Sequence, residues 1–129
     1  MTVKYSVIPR RNPQDPDAPE TYHPSVKSTD RVSLHDLAET IAEISTVSST
    51  DTYAVLEALV SIIPKELARG NVVELGDLGS FFIRTKSSGA ATEDDVSPKN
   101  IDSVLPRFYP GQRFKEVLSS IQFVKVDGS

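Results

Sequence analysis

Apolar and polar residues first alternate with a period of two, over residues 3–8, which predicts a short strand with one apolar face. Four prolines follow within residues 9–19 and predict a stiff loop, because proline fixes φ and removes an amide donor. A second extended segment is predicted over residues 21–27. Pro24 lies inside it, which suits a strand at the edge of a sheet.

The pattern then changes to helical spacing. Ser33 precedes the first helix, and Asp36 stands three residues on, as in a capping box with Asp in place of Glu. A second helix is predicted from the Ser/Thr-rich segment 48–51 to Gly70, which provides its C-terminal stop. Pro64 lies within this helix and predicts either a kink or an earlier end.

The second half of the chain returns to extended structure. Thr92 followed by Asp95 is a further capping pattern, which predicts one helical turn within an otherwise polar stretch. The predicted elements are a strand at 72–75, a glycine turn at 76–79, a strand at 80–85, a polar segment at 87–100, a strand at 101–109, a helix at 112–120 and a closing strand at 122–126.

Three segments in this order resemble landmarks of the HU/IHF superfamily of histone-like proteins. Residues 70–75, Gly-Asn-Val-Val-Glu-Leu, resemble the family's exit from helix to first strand. Residues 76–81, Gly-Asp-Leu-Gly-Ser-Phe, resemble its Gly-Phe-Gly-Thr-Phe turn, with Asp-Leu between the glycines. Residues 107–115, Arg-Phe-Tyr-Pro-Gly-Gln-Arg-Phe-Lys, resemble its Pro-x-Phe-x-x-Gly-Lys segment. The resemblance spans residues 32–118.

The resemblance implies an α+β fold in an intertwined homodimer, with a helical base, a three-stranded antiparallel sheet and a β-arm near residues 84–107. The HU/IHF-like domain is assigned to residues 32–129. Residues 1–31 form an N-terminal strand and loop extension, which resembles that of longer HU-related proteins of Bacteroides-type bacteria. A dimer also fits the size of the chain, because a small protomer with this topology cannot cover its own apolar faces.

The resemblance further implies a nucleoid protein of the cytoplasm that binds double-stranded DNA with low sequence specificity. The charge balance complicates this expectation, because the 129 residues carry 14 Lys and Arg against 18 Asp and Glu, a net charge of −4. Duplex binding depends on cations that release phosphate counterions. The balance is +1 over residues 1–31, −4 over 32–70 and −1 over 71–129, so a DNA-binding surface must come mainly from the two flanks.

Six cations are the candidate DNA contacts, and five of them are expected on the sheet saddle and its edges. Arg84 and Lys86 are two residues apart, so they share a sheet face, opposite Phe81, Ile83 and Thr85. Lys99 on the arm, and Arg10 and Arg11 on the N-terminal loop, are weaker candidates. The six candidates are Arg84, Lys86, Lys99, Arg107, Arg113 and Lys115.

The arm departs from the family pattern at its tip. Family arms are rich in Arg and Lys and carry a proline that wedges into the minor groove, whereas residues 93–95 here are Glu-Asp-Asp. Pro98 has two interpretations, a wedge or the start of a helical turn, and the second is favoured. The family's Arg-Asn-Pro tip is found instead at residues 11–13, as a coincidence or as a displaced arm.

No enzymatic site is expected, and no cofactor, metal or small-molecule substrate. The chain has no cysteine, and His23 and His35 belong to no metal-spaced cluster. No apolar run approaches the length of a membrane span. The alternative to a DNA-binding protein is an HU-fold dimerisation or protein-interaction module that has lost DNA binding, which the acidic arm and the net charge favour.

Overall fold

The computed structural model describes residues 1–126 of the chain. These residues form three helices and six strands, in an α+β arrangement. In chain order, the elements are β1 (Thr2–Arg10), β2 (Thr21–Lys27), α1 (Leu34–Ile44), α2 (Ser49–Ala68), β3 (Val73–Glu74), β4 (Gly79–Ser87), β5 (Ile101–Pro110), α3 (Gln112–Ser119) and β6 (Gln122–Lys125). Short 3₁₀ turns are found at Gly76–Leu78, Glu93–Asp95 and Pro98–Asn100.

The chain divides into two compact units. The terminal unit comprises residues 1–32 together with residues 117–126, and the central unit comprises Ser33–Glu116. The terminal unit holds a three-stranded sheet of order β2-β1-β6, in which β2 is antiparallel and β6 parallel to β1. Pro24 therefore lies on an edge strand, as predicted. The sequence predicted β6 as a closing strand but did not predict that it pairs with β1.

The central unit pairs two helices with a second sheet, of order β3-β4-β5, whose strand pairs are antiparallel. The predicted capping box of α1 is confirmed. The Asp36 backbone N–H donates to Ser33 Oγ at 3.2 Å, and the Ser33 backbone N–H donates to the Asp36 carboxylate at 3.0 Å. The second of these bonds stabilises the carboxylate and lowers the pKa of Asp36 below its usual 3.8.

Pro64 was predicted to kink or to shorten the second helix, and the shortening is excluded because α2 continues to Ala68. Pro64 lies one turn before the end of the helix, so its missing amide removes one hydrogen bond from an already formed helix. Beyond it, the Arg69 N–H donates to the carbonyls of Lys65 and Glu66 at 3.2 Å. Gly70 then takes a positive φ of 85° and ends the helix as predicted.

Little of the described chain is buried. Within residues 1–126, the buried apolar residues are Ala38 and Leu67. Three phenylalanines form an aromatic cluster in the central unit, with ring centroids 5.0 Å apart for Phe81 and Phe108 and 5.4 Å apart for Phe108 and Phe114. This cluster connects β4, β5 and α3. It lies on one face of the β4–β5 pair, and the opposite face remains open.

Candidate nucleic-acid interface

The long antiparallel pair β4–β5 places three of the candidate cations on one face. Phe82 pairs with Arg107, Arg84 with Leu105, and Lys86 with Ser103. Directly paired residues of an antiparallel ladder point to the same side of the sheet, and alternate residues along a strand do so too. Arg84, Lys86 and Arg107 therefore share a surface, which we call the cationic face.

The other side of the β4–β5 pair is apolar. Phe81 is paired with Phe108, and Ile83 with Pro106. Phe81 and Phe108 belong to the aromatic cluster that contacts Phe114 on α3. The contacts among these rings fix the register of the β4–β5 pair, because a one-residue shift would exchange the two faces. The separation of Arg84 and Lys86 from Phe81, Ile83 and Thr85 agrees with the alternation in the sequence.

Helix α3 brings a fourth cation to this surface. Lys115 Nζ donates a hydrogen bond to the Tyr109 hydroxyl at 3.1 Å and lies 4.5 Å from the centre of that ring. Tyr109 is two residues from Arg107 and is paired with Ser80, so its side chain belongs to the cationic face. The Arg84 guanidinium lies 5.7 Å from the centre of the Phe82 ring on the same face. Cations held against aromatic rings lose less conformational freedom when they bind an anion.

Phe82 and Tyr109 were not predicted as part of the surface. Tyr109 is 59% exposed, and both rings hold a cation that was predicted. The period-two spacing of Arg107 and Tyr109, and of Phe82 and Arg84, is the signal in the sequence that could have found them. The contact from Lys115 depends on the fold of α3 against β5.

The remaining candidates lie elsewhere in the central unit. Arg113 is an exposed residue of α3, and Lys99 lies in the 3₁₀ turn Pro98–Asn100 of the arm. The structure thus gathers Arg84, Lys86, Arg107 and Lys115 around one face. The ion pairs within residues 1–126, Arg11–Glu20 and Arg69–Glu66, involve none of the six candidate cations.

The arm between β4 and β5 is built from two short turns. The predicted helical turn is confirmed at Glu93–Asp95, where the Thr92 hydroxyl donates to the Asp95 carboxylate at 2.8 Å. Pro98 occupies the first position of the next turn, which Ser97 caps, so the helix-start interpretation of this proline is confirmed. The acidic residues 93–95 are all exposed, and they would repel phosphates near them.

The N-terminal cations belong to the terminal unit. Arg10 is the last residue of β1, and Arg11 Nε donates to the Glu20 carboxylate at 2.7 Å across the loop. The Arg11-Asn12-Pro13 segment enters a turn in which the Asp15 N–H donates to the Asn12 carbonyl at 3.2 Å. The segment is therefore part of a compact loop between β1 and β2, without an arm of its own.

The two histidines have structural contacts. His35 stacks on Tyr53 with ring centroids 4.0 Å apart, and a His23 ring nitrogen lies 2.8 Å from the Thr21 hydroxyl. Across residues 1–126, no group of three or more His, Cys, Asp or Glu side chains is placed to hold a metal ion. The helices within the same range are too short or too polar to cross a membrane.

The order of helices and strands, with the cationic face on the β4–β5 pair, is that of an HU-type protein. A family model described as an HU domain fused to wHTH, Ig, or glycine-rich motif matches residues 1–125. The chain therefore belongs to the HU-HIG family. The match includes the N-terminal strands, which lie outside the ordinary HU pattern.

Relatives and solved structures agree with this assignment. The DNA-binding protein HU of Thermus thermophilus is 26% identical over 87 residues, which cover 66% of this chain and 90% of that protein. A crystal structure of a proposed bacterial DNA-binding protein from Bacteroides vulgatus is similar with a TM-score of 0.64 and 12% identity over 97% of this chain. The present chain spans 48% of the length of that protein. Anabaena HU, solved as a cocrystal with DNA, has a TM-score of 0.54 and 24% identity, over 68% of this chain and 98% of its own.

Proposed function

We propose that this protein is a histone-like, homodimeric DNA-binding protein of the bacterial nucleoid, without catalytic activity. It binds duplex DNA through the cationic face of the β4–β5 pair. The observation that carries this proposal is the alignment of Arg84, Lys86 and Arg107 on one face, with Lys115 held against Tyr109 beside them. HU proteins of Thermus and Anabaena, named or solved as DNA-binding proteins, support it.

The contacts explain why binding has low sequence specificity. Lys and Arg that meet phosphates fix the position of the protein on the duplex but read no base edges. The cationic face has no proline wedge near the tip of its arm, since Pro98 is engaged in a turn. DNA bending by the arm is therefore weak, and affinity comes from charge neutralisation along the backbone.

Arg113 and Lys99 have secondary roles in this proposal. Arg113 is exposed on α3, close in sequence to Lys115, and it extends the phosphate contact beyond the edge of the sheet. Lys99 lies in the arm, beyond the acidic turn at residues 93–95, and contacts a phosphate further along the duplex. Loss of either cation weakens binding less than loss of Arg84 or Arg107.

The salt dependence of binding tests the proposal. The logarithm of the binding constant for duplex DNA falls with the logarithm of salt concentration with a slope of about −0.9 per phosphate neutralised. Six cations in each of two protomers set an upper limit of about −11 on the slope, of which Arg84, Lys86, Arg107 and Lys115 contribute about −7. The measurement is fluorescence anisotropy with a labelled 40-base-pair duplex, between roughly 50 and 200 mM salt.

A charge-matched pair of variants locates the surface. Replacing Arg84 and Arg107 by Gln removes four cations from a dimer, so we expect the slope to become shallower by about 3 to 4. The control replaces Lys65 and Arg69 by Gln, which removes the same charge from the end of α2. If the control weakens binding as much as the replacement of Arg84 and Arg107 does, the DNA binds another surface.

The second candidate function is an HU-fold module that mediates protein contacts and has lost DNA binding. The net charge of −4 and the exposed acidic turn at residues 93–95 favour it. In that case the wild-type protein binds no duplex at micromolar concentration and low salt, whatever the DNA sequence.

A further inference from the structure

Two lysines face each other across neighbouring strands of the terminal unit. Lys4 of β1 pairs directly with Lys27 of β2, so both side chains emerge on the same side of the sheet. Both residues are exposed. Like charges that stand directly opposite each other in a ladder repel and destabilise the sheet. We call these two residues the lysine pair.

The strands of this sheet offer the lysine pair no carboxylate. The sequences of β1, β2 and β6 contain neither Asp nor Glu. The ion pairs within residues 1–126 involve neither lysine. Asp30, in the segment after β2, accepts a hydrogen bond from the Arg31 backbone N–H at 2.9 Å, and the charge of Arg31 follows it directly. The lysine pair is therefore a local positive charge that these strands leave uncompensated.

The carboxylates of the β1–β2 loop lie at the opposite end of the sheet. Residues 11–20 contain three of them, and the loop begins after Arg10, the last residue of β1. Lys4 and Arg10 are six residues apart, which is about 20 Å along an extended strand. This distance is about twice the Debye length at physiological ionic strength, so the loop does not cancel the charge of the lysine pair. Arg10 shares the side of the pair but adjoins the loop carboxylates, so it is not counted with the pair.

The distribution of charge between the two units also favours the terminal unit as an anion-binding region. Residues 1–32 and 117–126 carry six Lys and Arg against four Asp and Glu, whereas residues 33–116 carry eight against thirteen. The central unit, which holds the cationic face, is thus acidic as a whole. A polyanion is attracted over long range by the terminal unit and not by the central one.

We propose that the lysine pair is a second contact for the phosphate backbone of duplex DNA, in addition to the cationic face. This inference rests on the proposed function and extends it to the terminal unit. Each lysine binds phosphate as a compact point charge and reads no base. A bound phosphate also relieves the repulsion between the two ammonium groups. Ser6, on the same side of β1, is 8% exposed, so the contact is limited to the long lysine side chains.

Charge complementarity is what selects duplex DNA as the occupant. A duplex carries one negative charge per about 1.7 Å of its axis, so it offers a phosphate to each ammonium group wherever it lies along the strands. An acidic protein segment would need two carboxylates at the spacing of the pair. A duplex already bound at the cationic face also reaches a second contact at high effective concentration.

The central test compares two lysines on opposite sides of the same sheet. Lys27→Gln removes one ammonium group of the pair. Lys125→Gln is the matched control, because Lys125 is also exposed and ends its strand, but it pairs with Tyr5 and so points to the other side. We expect the salt-dependence slope of duplex binding in a dimer to become shallower by about 2 in Lys27→Gln and by less than about 0.5 in the control. Fluorescence anisotropy with the same labelled duplex measures both.

A variant that lacks the whole pair separates this contact from the cationic face. We expect Lys4→Gln with Lys27→Gln to make the slope shallower by about 3 to 4, both in the wild-type protein and when Arg84 and Arg107 are already Gln. Because the two lysines repel each other in the free protein, the thermal midpoint by circular dichroism should stay the same or rise. A lower midpoint would contradict this repulsion and would assign the lysines to support of the sheet.

The outcomes distinguish this inference from the proposed function. If the wild-type protein binds no duplex, both fail together. If it binds, and Lys27→Gln and Lys125→Gln have equal slopes, only the lysine pair is overturned. If the replacement of Arg84 and Arg107 leaves the slope unchanged while loss of the lysine pair makes it shallower, the inference stands and the proposed cationic face is overturned.

Discussion

Gly79 stands where the glycine turn brings two backbone segments into close contact. Its φ is 141°, a conformation that L side chains rarely adopt. A Cβ at this position would meet the Tyr109 carbonyl oxygen and would lie 2.7 Å from Phe108 Cε2. Tyr109 and Phe108 are the residues that place the cationic face and the aromatic cluster on opposite sides of β5.

We therefore expect Gly79→Ala to lower the free energy of unfolding by about 3 kcal/mol, from backbone strain and steric overlap together. Urea denaturation followed by circular dichroism measures the change. Gly89→Ala is the control, because Gly89 has open space around its Cβ position and is expected to change the same quantity by less than about 0.5 kcal/mol. Equal losses of unfolding free energy in the two variants would show that the close approach of the two segments does not require glycine at position 79.

The residues of the cationic face differ in how far the sequence could predict them. Arg84 and Lys86 could be assigned to one side of a strand from their spacing, because the side-chain period of a strand is two. The contact between Lys115 and Tyr109 could not, since it depends on α3 folding back beside β5 after Gly111. Local periodicity determines which side a residue faces, whereas the neighbour across a turn depends on tertiary packing.

In the arm, the family resemblance predicts contact with DNA, whereas the local negative charge opposes it. Residues 93–95 present three exposed carboxylates on a 3₁₀ turn between β4 and β5. If DNA lies on the cationic face, these charges oppose binding through space without forming a specific contact. Their effect is then screened by salt over about 8 to 10 Å, the Debye length at physiological ionic strength.

Neutralising this turn with Glu93→Gln, Asp94→Asn and Asp95→Asn should strengthen duplex binding by roughly three- to tenfold near 0.1 M salt. The gain should shrink at 0.3 M salt, and anisotropy titrations at both concentrations measure it. The control changes net charge equally through Asp30→Asn, Glu39→Gln and Glu43→Gln. If both triple variants bind equally well, the arm tip lies far from the DNA.

Strand partners were harder to predict than strands. A closing strand was expected at residues 122–126, and residues 122–125 form one, but their parallel pairing with β1 joins segments more than a hundred residues apart. A period of two indicates an extended segment with two distinct faces and carries no information on which edge it joins. Pro64 shows a second limit, because propensity predicted a kink or an earlier end there, and the nearly complete helix continues past it to Ala68.

At the scale of the whole molecule, the central unit leaves apolar side chains of α2 in solvent. Val55 is 60% exposed and Ile62 is 52% exposed, and they are seven residues apart, on one side of the helix. Full burial of an aliphatic side chain of this size is worth about 1.5 to 3 kcal/mol. A partner that covers this stripe would supply stability that the single chain lacks, as in the homodimer that we propose.

A homodimer that buries this stripe must unfold in a concentration-dependent way, because dissociation and unfolding are then one equilibrium. We expect the thermal midpoint to rise with protein concentration, since each tenfold increase stabilises a dimer by about 1.4 kcal/mol. Val55→Asp with Ile62→Asp should lower the midpoint and abolish its concentration dependence, because each charge would have to be buried in the interface.

Val96→Asp, a change at a residue of the arm that is 61% exposed, should leave both quantities as they are. A midpoint that stays constant over a hundredfold range of concentration would show that the α2 stripe remains in solvent and that the protomer folds alone.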